Sequence, residues 1–142
     1  MPRGDARPAC AVVSDQGEAY RPGGALGERG EEAAARHLEA LGFRILDRRF
    51  RTRAGEIDLV AEESGTLVFV EVKTRASDRF GSPAEAVDAR KRSRLLRAAR
   101  VYLTRVSDPD RACRFDVMEV VPGPGNAFRC LLIRDAFEAG SP

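Results

Sequence analysis

Gly55-Glu56-Ile57-Asp58-Leu59-Val60-Ala61-Glu62-Glu63-Ser64-Gly65-Thr66-Leu67-Val68-Phe69-Val70-Glu71-Val72-Lys73-Thr74-Arg75 is the stretch on which the fold turns. It holds two short apolar runs on either side of Ser64-Gly65, a tight-turn pair. Each run is too short for an ordinary helix and reads as a strand, Glu56–Glu62 and Leu67–Thr74. Side chains alternate along a strand. Ile57, Leu59 and Ala61 are expected on one face, with Glu56, Asp58 and Val60 on the other. In the second strand Val68, Val70 and Val72 oppose Phe69, Glu71 and Lys73. A two-residue loop at Ser64-Gly65 pairs Glu63 with Thr66 and so fixes every other partner. Asp58 falls opposite Glu71, and Glu56 opposite Lys73.

Directly opposed side chains have Cβ atoms about 5 Å apart. Two carboxylates at that distance repel unless positive charge lies between them. Mg2+ or Mn2+ suits carboxylate oxygens, and Lys73 adds a further positive group. The plainer alternative is a solvated strand edge with a Glu56–Lys73 ion pair, the common fate of an isolated Glu-x-Lys. Asp58, at this register inside valine-rich strands, moves the reading toward a metal site.

On either side of this stretch, Leu26–Leu41 reads as a helix closed by Gly42, and Phe43–Phe50 as a strand. After a loop at 75–81, Ser82, Pro83 and Glu85 form an expected helix start with N-cap and capping box. That helix should run to about Val106, where Asp108-Pro109-Asp110 breaks it. Cys113–Val121 and Phe128–Ile133 are further strands around a turn at 122–126, and 134–142 is expected as a short polar tail. The third and fourth strands, joined across a long helix, must be parallel. The expected fold is α/β: a mixed sheet of about five strands flanked by helices, in the order α-β-β-β-α-β-β. The expected organisation is a flexible arm at 1–24, a domain at 25–137 and a C-terminal tail at 138–142.

Two helical residues bear on the site. Glu31 falls on the apolar stripe of the first helix, with Ala34, Ala35, Leu38 and Leu41, although first-turn acids are also common for the helix dipole alone. Lys91 lies on the stripe of Val87, Leu95, Ala98 and Tyr102. It can reach a phosphate near the site or snorkel past the sheet edge.

The chain has 142 residues, 43% of them hydrophobic, which is one domain with a real core. No run approaches the roughly 18 apolar residues of a membrane span, and residues 1–15 carry no secretory h-region. Cys10, Cys113 and Cys130 are in no ligand spacing, and His37 is the single histidine, so a Cys/His zinc site is not expected. Reduced thiols and a cytoplasmic location follow. The net charge is only +2, but the basic residues cluster. Arg44, Arg48, Arg49, Arg51 and Arg53 form one group. Arg90, Lys91, Arg92, Arg94, Arg97, Arg100 and Arg105 form another. Arginine forks onto phosphate oxygens, so a polyanion is one reading and two solvated faces the other.

Together, Gly55–Val60 and Val68–Arg75 resemble the bipartite motif of the PD-(D/E)xK nuclease superfamily. More closely, the chain resembles the YraN family of small bacterial proteins, with a Holliday-junction-resolvase-like core. Gly30-Glu31 with Ala34 and Leu38, Arg114-Phe115-Asp116-Val117 and Arg134-Asp135-Ala136-Phe137 extend the resemblance from about Leu26 to Phe137. It implies a restriction-endonuclease-like sheet and a Mg2+- or Mn2+-dependent endonuclease hydrolysing phosphodiesters in nucleic acid, with branched DNA as the analogous substrate. The implied catalytic set is Asp58, Glu71, Lys73 and Glu31. Asp58, Glu71 and the Val72 carbonyl would hold the metal, and Lys91, Arg90, Arg92, Arg94 and Arg75 would hold nucleic acid. Ile57 stands where the name has proline, and Arg92 where relatives often have glutamine. The implied partner is DNA, with no membrane, and a junction cutter implies a homodimer. Two rivals share the residues: a catalytically silent nucleic-acid-binding module, and a protein-interaction or assembly domain whose acids are structural.

Overall fold

The computed structural model of the chain describes residues 10–14, 24–77, 79–80 and 88–137. At its centre lies the hairpin of β3 (Glu56–Glu63) and β4 (Thr66–Thr74). Ser64 and Gly65 both take positive φ, 50° and 83°, the type I′ geometry that matches strand twist. Glu63 pairs with Thr66, Ala61 with Val68 and Leu59 with Val70, the register fixed by that turn.

β2 (Arg44–Arg51) lies antiparallel on the outer side of β3. On the inner side, β5 (Cys113–Pro122) runs parallel to β4, placing Glu71 level with Val117 and Lys73 level with Glu119. β6 (Ala127–Phe137) and then β1 (Cys10–Ser14) complete the order β1-β6-β5-β4-β3-β2. The mixed sheet and the order α-β-β-β-α-β-β are as expected, with one more strand before them. Five residues assigned to the arm are that edge strand, paired to β6 from Cys10–Leu131 to Ser14–Ala127. Gly24, the last residue of the expected arm, opens the first helix, and the rest of the arm (1–9 and 15–23) and the 138–142 tail lie outside the described residues.

Helix α1 (Gly24–Ala40) covers one face. Ala33, Ala34, Ala35 and Leu38 pack against Leu59, Ala61, Val68, Val70, Met118 and Val120. Gly42, at φ 98°, closes it with Phe43 N–H donating to Leu38 O at 3.0 Å, a Schellman closure. Helix α2 (Ala89–Arg105) covers the other face. Leu95, Ala98, Ala99, Tyr102 and Leu103 sit there on an aromatic layer of Phe50, Phe69, Phe115 and Phe137. The Phe115 and Phe137 rings stack at 4.7 Å, and Tyr102 meets Phe50 edge-on at 5.0 Å. The result is three layers, α/β/α.

Three expectations need correction. The expected second helix does not run unbroken from Ser82. Asp88 caps α2: its backbone is extended (φ −84°, ψ 176°) and its carboxylate accepts the Lys91 N–H. Ser82, Pro83, Glu85 and Val87 lie outside the described residues. β6 runs on to Phe137 because Asp135, at φ 53°, makes a bulge that re-aims Phe137 into the aromatic layer. Finally, side-chain alternation slips at Asp58. Leu59 and Ala61 face α1 while Ile57 joins Val60 under α2. Arg49, which falls opposite Asp58 between the Arg48–Leu59 and Phe50–Ile57 pairs of the β2–β3 ladder, takes φ 51° at the same level.

Candidate functional site

That slip shapes the site. The β3–β4 ladder ends at Leu59–Val70, one step short of the expected Asp58–Glu71 pair. The strands part there, and the Asp58 carboxylate fills the gap by accepting the Val72 N–H at 2.8 Å. Glu71 continues the normal alternation of β4 and points toward α2, only 5% exposed. The two carboxyl groups face each other closely enough for the Glu71 charge to bear on Asp58. Burial first, and the Glu71 charge second, push the Asp58 carboxyl up to about 7.

A cavity of about 420 Å³ opens above this pair, lined by Gly55, Glu56, Asp58, Glu71, Asp88, Arg90, Lys91, Arg94 and Leu95. Two backbone devices build its walls. Thr52 Oγ1 accepts the Ala54 and Gly55 N–H groups at 3.0 and 3.1 Å, tightening the β2–β3 connection. Gly55 lets α2 come down on that connection, since a Cβ there would sit 3.1 Å from Arg94 Cβ. The Asp88 cap, at 2.9 Å, anchors the first turn of α2 so that Lys91 overhangs the acids. Its ammonium contacts Glu71 Oε2 directly. A second cavity, near Leu26, Arg29 and Phe128, is lined by no acid.

The other expected site residues divide into two groups. Lys73 is half-buried on the face of Glu71 and makes no ion pair among the described residues. Arg90 and Arg94 are exposed at the cavity wall. Glu31 is outside the cavity lining. It binds Arg49 Nε at 2.8 Å, and its carboxyl is raised mainly by burial, opposed by that hydrogen bond, with Asp58 and Glu56 adding repulsion. Arg75 is turned inward, its Nε 3.0 Å from the fully buried Glu119. Arg92 leans over Phe137, its guanidinium 6.0 Å from the ring centre, and takes no part in the cavity wall. Glu56 lines the cavity but bonds Arg51 at 2.8 Å rather than Lys73.

The two arginine clusters also differ in character. Arg44, Arg48, Arg49 and Arg51 are each paired with a glutamate, Glu62, Glu32, Glu31 and Glu56 respectively. Arg90, Arg94 and Arg97 on α2 are exposed and unpaired among the described residues. The motif segments at 114–117 and 134–137 build a clasp at the far end of the hairpin. Arg114 and Arg134 both bind Glu63, at 2.6 and 2.5 Å, and the buried Asp116 accepts the Asp135 N–H at 2.8 Å. Sequence reasoning missed Asp88, although an Asp three residues before Lys91 is a legible cap signal. It also missed the Arg49–Asp58 irregularity, for which a non-glycine residue leaves no sequence mark.

Among the described residues, no three His, Cys, Asp or Glu side chains converge as a metal cage, and no helix is long and apolar enough to cross a membrane. A family model described as uncharacterised protein family UPF0102 matches residues 30–120. A UPF0102 protein of Symbiobacterium thermophilum is 55% identical over 114 residues, 80% of this chain and 97% of the relative. One of Chlorobaculum parvum is 50% identical over 98 residues, 69% and 76% of the two chains. One of Frankia alni is 48% identical over 119 residues, 84% and 99%. Among solved structures, Pyrococcus furiosus SfsA in complex with Ca2+ aligns at a TM-score of 0.35 and 13% identity, over 78% of this chain and 61% of that one.

Proposed function

The chain belongs to the UPF0102 family, and from the geometry of its site we propose that it is a divalent-cation-dependent phosphodiesterase acting on nucleic acid. One observation carries the reading: the half-buried Asp58 carboxyl and the buried Glu71 carboxyl meet where the ladder opens, beneath a rim of Arg90, Lys91 and Arg94. A fold gains nothing in stability from setting two acids together in a cleft, and such pairs concentrate at functional sites.

The donor chemistry fits a hard cation. Asp58 and Glu71 would be the two side-chain ligands, with the Val72 carbonyl as the third. A set of one or two carboxylates suits Mg2+, an ion that keeps several of its waters. Held there, Mg2+ or Mn2+ would supply Lewis acidity and a water of lowered pKa. The protein's own groups do the rest. The Val72 N–H fixes one Asp58 oxygen and so orients the carboxylate. Lys73, on the Glu71 face, offsets negative charge that develops on a phosphoryl group. Arg90 and Arg94 hold backbone phosphates at the rim. Glu31, tied to Arg49, acts on Asp58 through charge from outside the cavity.

The test is thermal unfolding with and without Mn2+ and Mg2+, on wild type, Asp58→Asn and Glu71→Gln. At 100 times the dissociation constant a bound cation stabilises by about 2.7 kcal/mol. A rise in wild type that both variants lose supports the site and leads to a cleavage screen on duplex and branched DNA and on RNA. No rise, either alone or with a DNA duplex present, sinks the metal-dependent reading in favour of a binding module.

A further inference from the structure

The contact that fits a resting metal site least well is Lys91 on Glu71. Glu71 is a carboxylate with little solvent, and the Lys91 ammonium rests on its Oε2. The lysine is not buried with it: its side chain is 41% exposed. Its backbone is fixed, because the N–H of Lys91 is the one that caps onto Asp88. The residue thus has a pinned base and a long mobile stem. Lys73 also lies on the Glu71 face, two residues along β4, and makes no ion pair among the described residues. Of the two lysines in the chain, the helical one is on the acid.

From this geometry we infer that Lys91 is a resident counter-cation, which holds Glu71 in the metal-free protein and is displaced when a divalent cation binds. The inference rests on the cation reading of the site. An ammonium in hydrogen-bond contact with Glu71 and a divalent ion on the same carboxylate would set two positive charges side by side in a low-dielectric cleft, so the two states exclude each other. Displaced, the ammonium swings outward, since its side chain is already 41% exposed and Leu95, one turn on, is buried in the core. There it joins Arg90 and Arg94 at the cavity mouth, where a phosphate would meet it. Without a counter-cation, Glu71 would be a buried unpaired charge in the metal-free state, which is strongly destabilising. The pairing therefore keeps the empty site folded, and any bound ion must compete with it.

The test is Mn2+ titration calorimetry on wild type, Lys91→Met and Lys91→Arg. Lys91→Met keeps the stem and removes the competitor, so its Mn2+ affinity should rise on the order of tenfold, the worth of one charge-assisted hydrogen bond. Lys91→Arg keeps the charge and should stay near wild type. If Lys91→Met does not fold, Lys91→Gln takes its place with the same expected gain. An independent readout needs no variant. With two lysines in the chain, their ammonium 15N resonances can be resolved, and saturating Mg2+ should shift that of Lys91 toward fast exchange with solvent. Wild-type binding with no gain in the uncharged variant, or a Lys91 resonance unmoved at saturation, overturns the exchange and leaves the cation site standing. Wild type that binds neither ion removes the cation reading itself.

Discussion

Asp58 accepts the Val72 N–H while it faces Glu71, so ionising it sets two negative charges together in a partly buried gap. Its carboxyl is raised from the ordinary 3.8 to about 7, by burial first and the Glu71 charge second. The folded protein thus holds the Asp58 proton more tightly than the unfolded chain does. The contribution to stability is fully present below the unfolded value and is lost as pH rises through about 7. Asp58→Asn keeps an acceptor for Val72 and has no charge to lose. In divalent-free buffer, its stability advantage over wild type should therefore grow between about pH 5 and about pH 8, at up to about 1.4 kcal/mol per pH step of one. Chemical denaturation at both pH values checks this, and a pH-independent difference would remove the charge argument. Lys73 makes the complementary case. It supports no ion pair among the described residues, so Lys73→Ala should leave the melting temperature and nucleic-acid binding close to wild type while abolishing cleavage. Undiminished cleavage in that variant would take Lys73 out of the mechanism.

Between elements, the spacing of α1 from the sheet is set at one point. A Cβ on Gly30 would overlap Thr74 Oγ1 and lie 3.0 Å from Thr74 Cβ, so only glycine lets the helix approach β4 that closely. The same approach brings Glu31, the next residue, within electrostatic reach of Asp58. Gly30→Ala should destabilise by about 1–3 kcal/mol, the usual cost of overpacking. Thr74→Ala in the same chain should recover most of that loss, because it removes the atoms in the way. A double-mutant cycle by urea unfolding measures the coupling, and additive losses would show that the contact does not set the spacing. On the other face, α2 depends on Asp88, whose carboxylate caps the helix and fixes Lys91 over the acids. The cap links helix stability to the site: the residue that starts the helix also aims the lysine.

Across the molecule, the arginines have two separate uses. Those of β2 are consumed by Glu62, Glu32, Glu31 and Glu56 and bind the outer strand to α1 and β3. Exposed pairs of this kind contribute little individually. The α2 arginines Arg90, Arg94 and Arg97 are exposed and lie within one side of the helix, and Arg90 and Arg94 line the cavity. If they hold a nucleic-acid backbone, each replacement by alanine should lower the slope of log affinity against log salt by about 0.9 on duplex DNA. Arg44→Ala and Arg48→Ala should leave that slope unchanged. Fluorescence anisotropy over a salt series separates the two sets, and equal effects from both would mean that charge acts without a defined surface.

Local sequence was enough to specify the hairpin, its register, the parallel crossover and the identity of the two central acids. A two-residue turn admits one register, and register assigns every partner. Long-range packing settled what local pattern cannot carry. The cap of α2 is Asp88, and the chain beyond Ile133 stays in the sheet because Phe137 completes an aromatic layer built by distant residues. The ladder stops at Leu59–Val70, so Asp58 meets Glu71 through a gap between parted strands and not as a regular cross-strand pair. Which arginines face solvent, that Arg75 turns in on Glu119, and that Lys91 lies on Glu71 are likewise products of packing. A charged side chain chooses its partner from every element that reaches it, and neighbours in sequence are only a few of those.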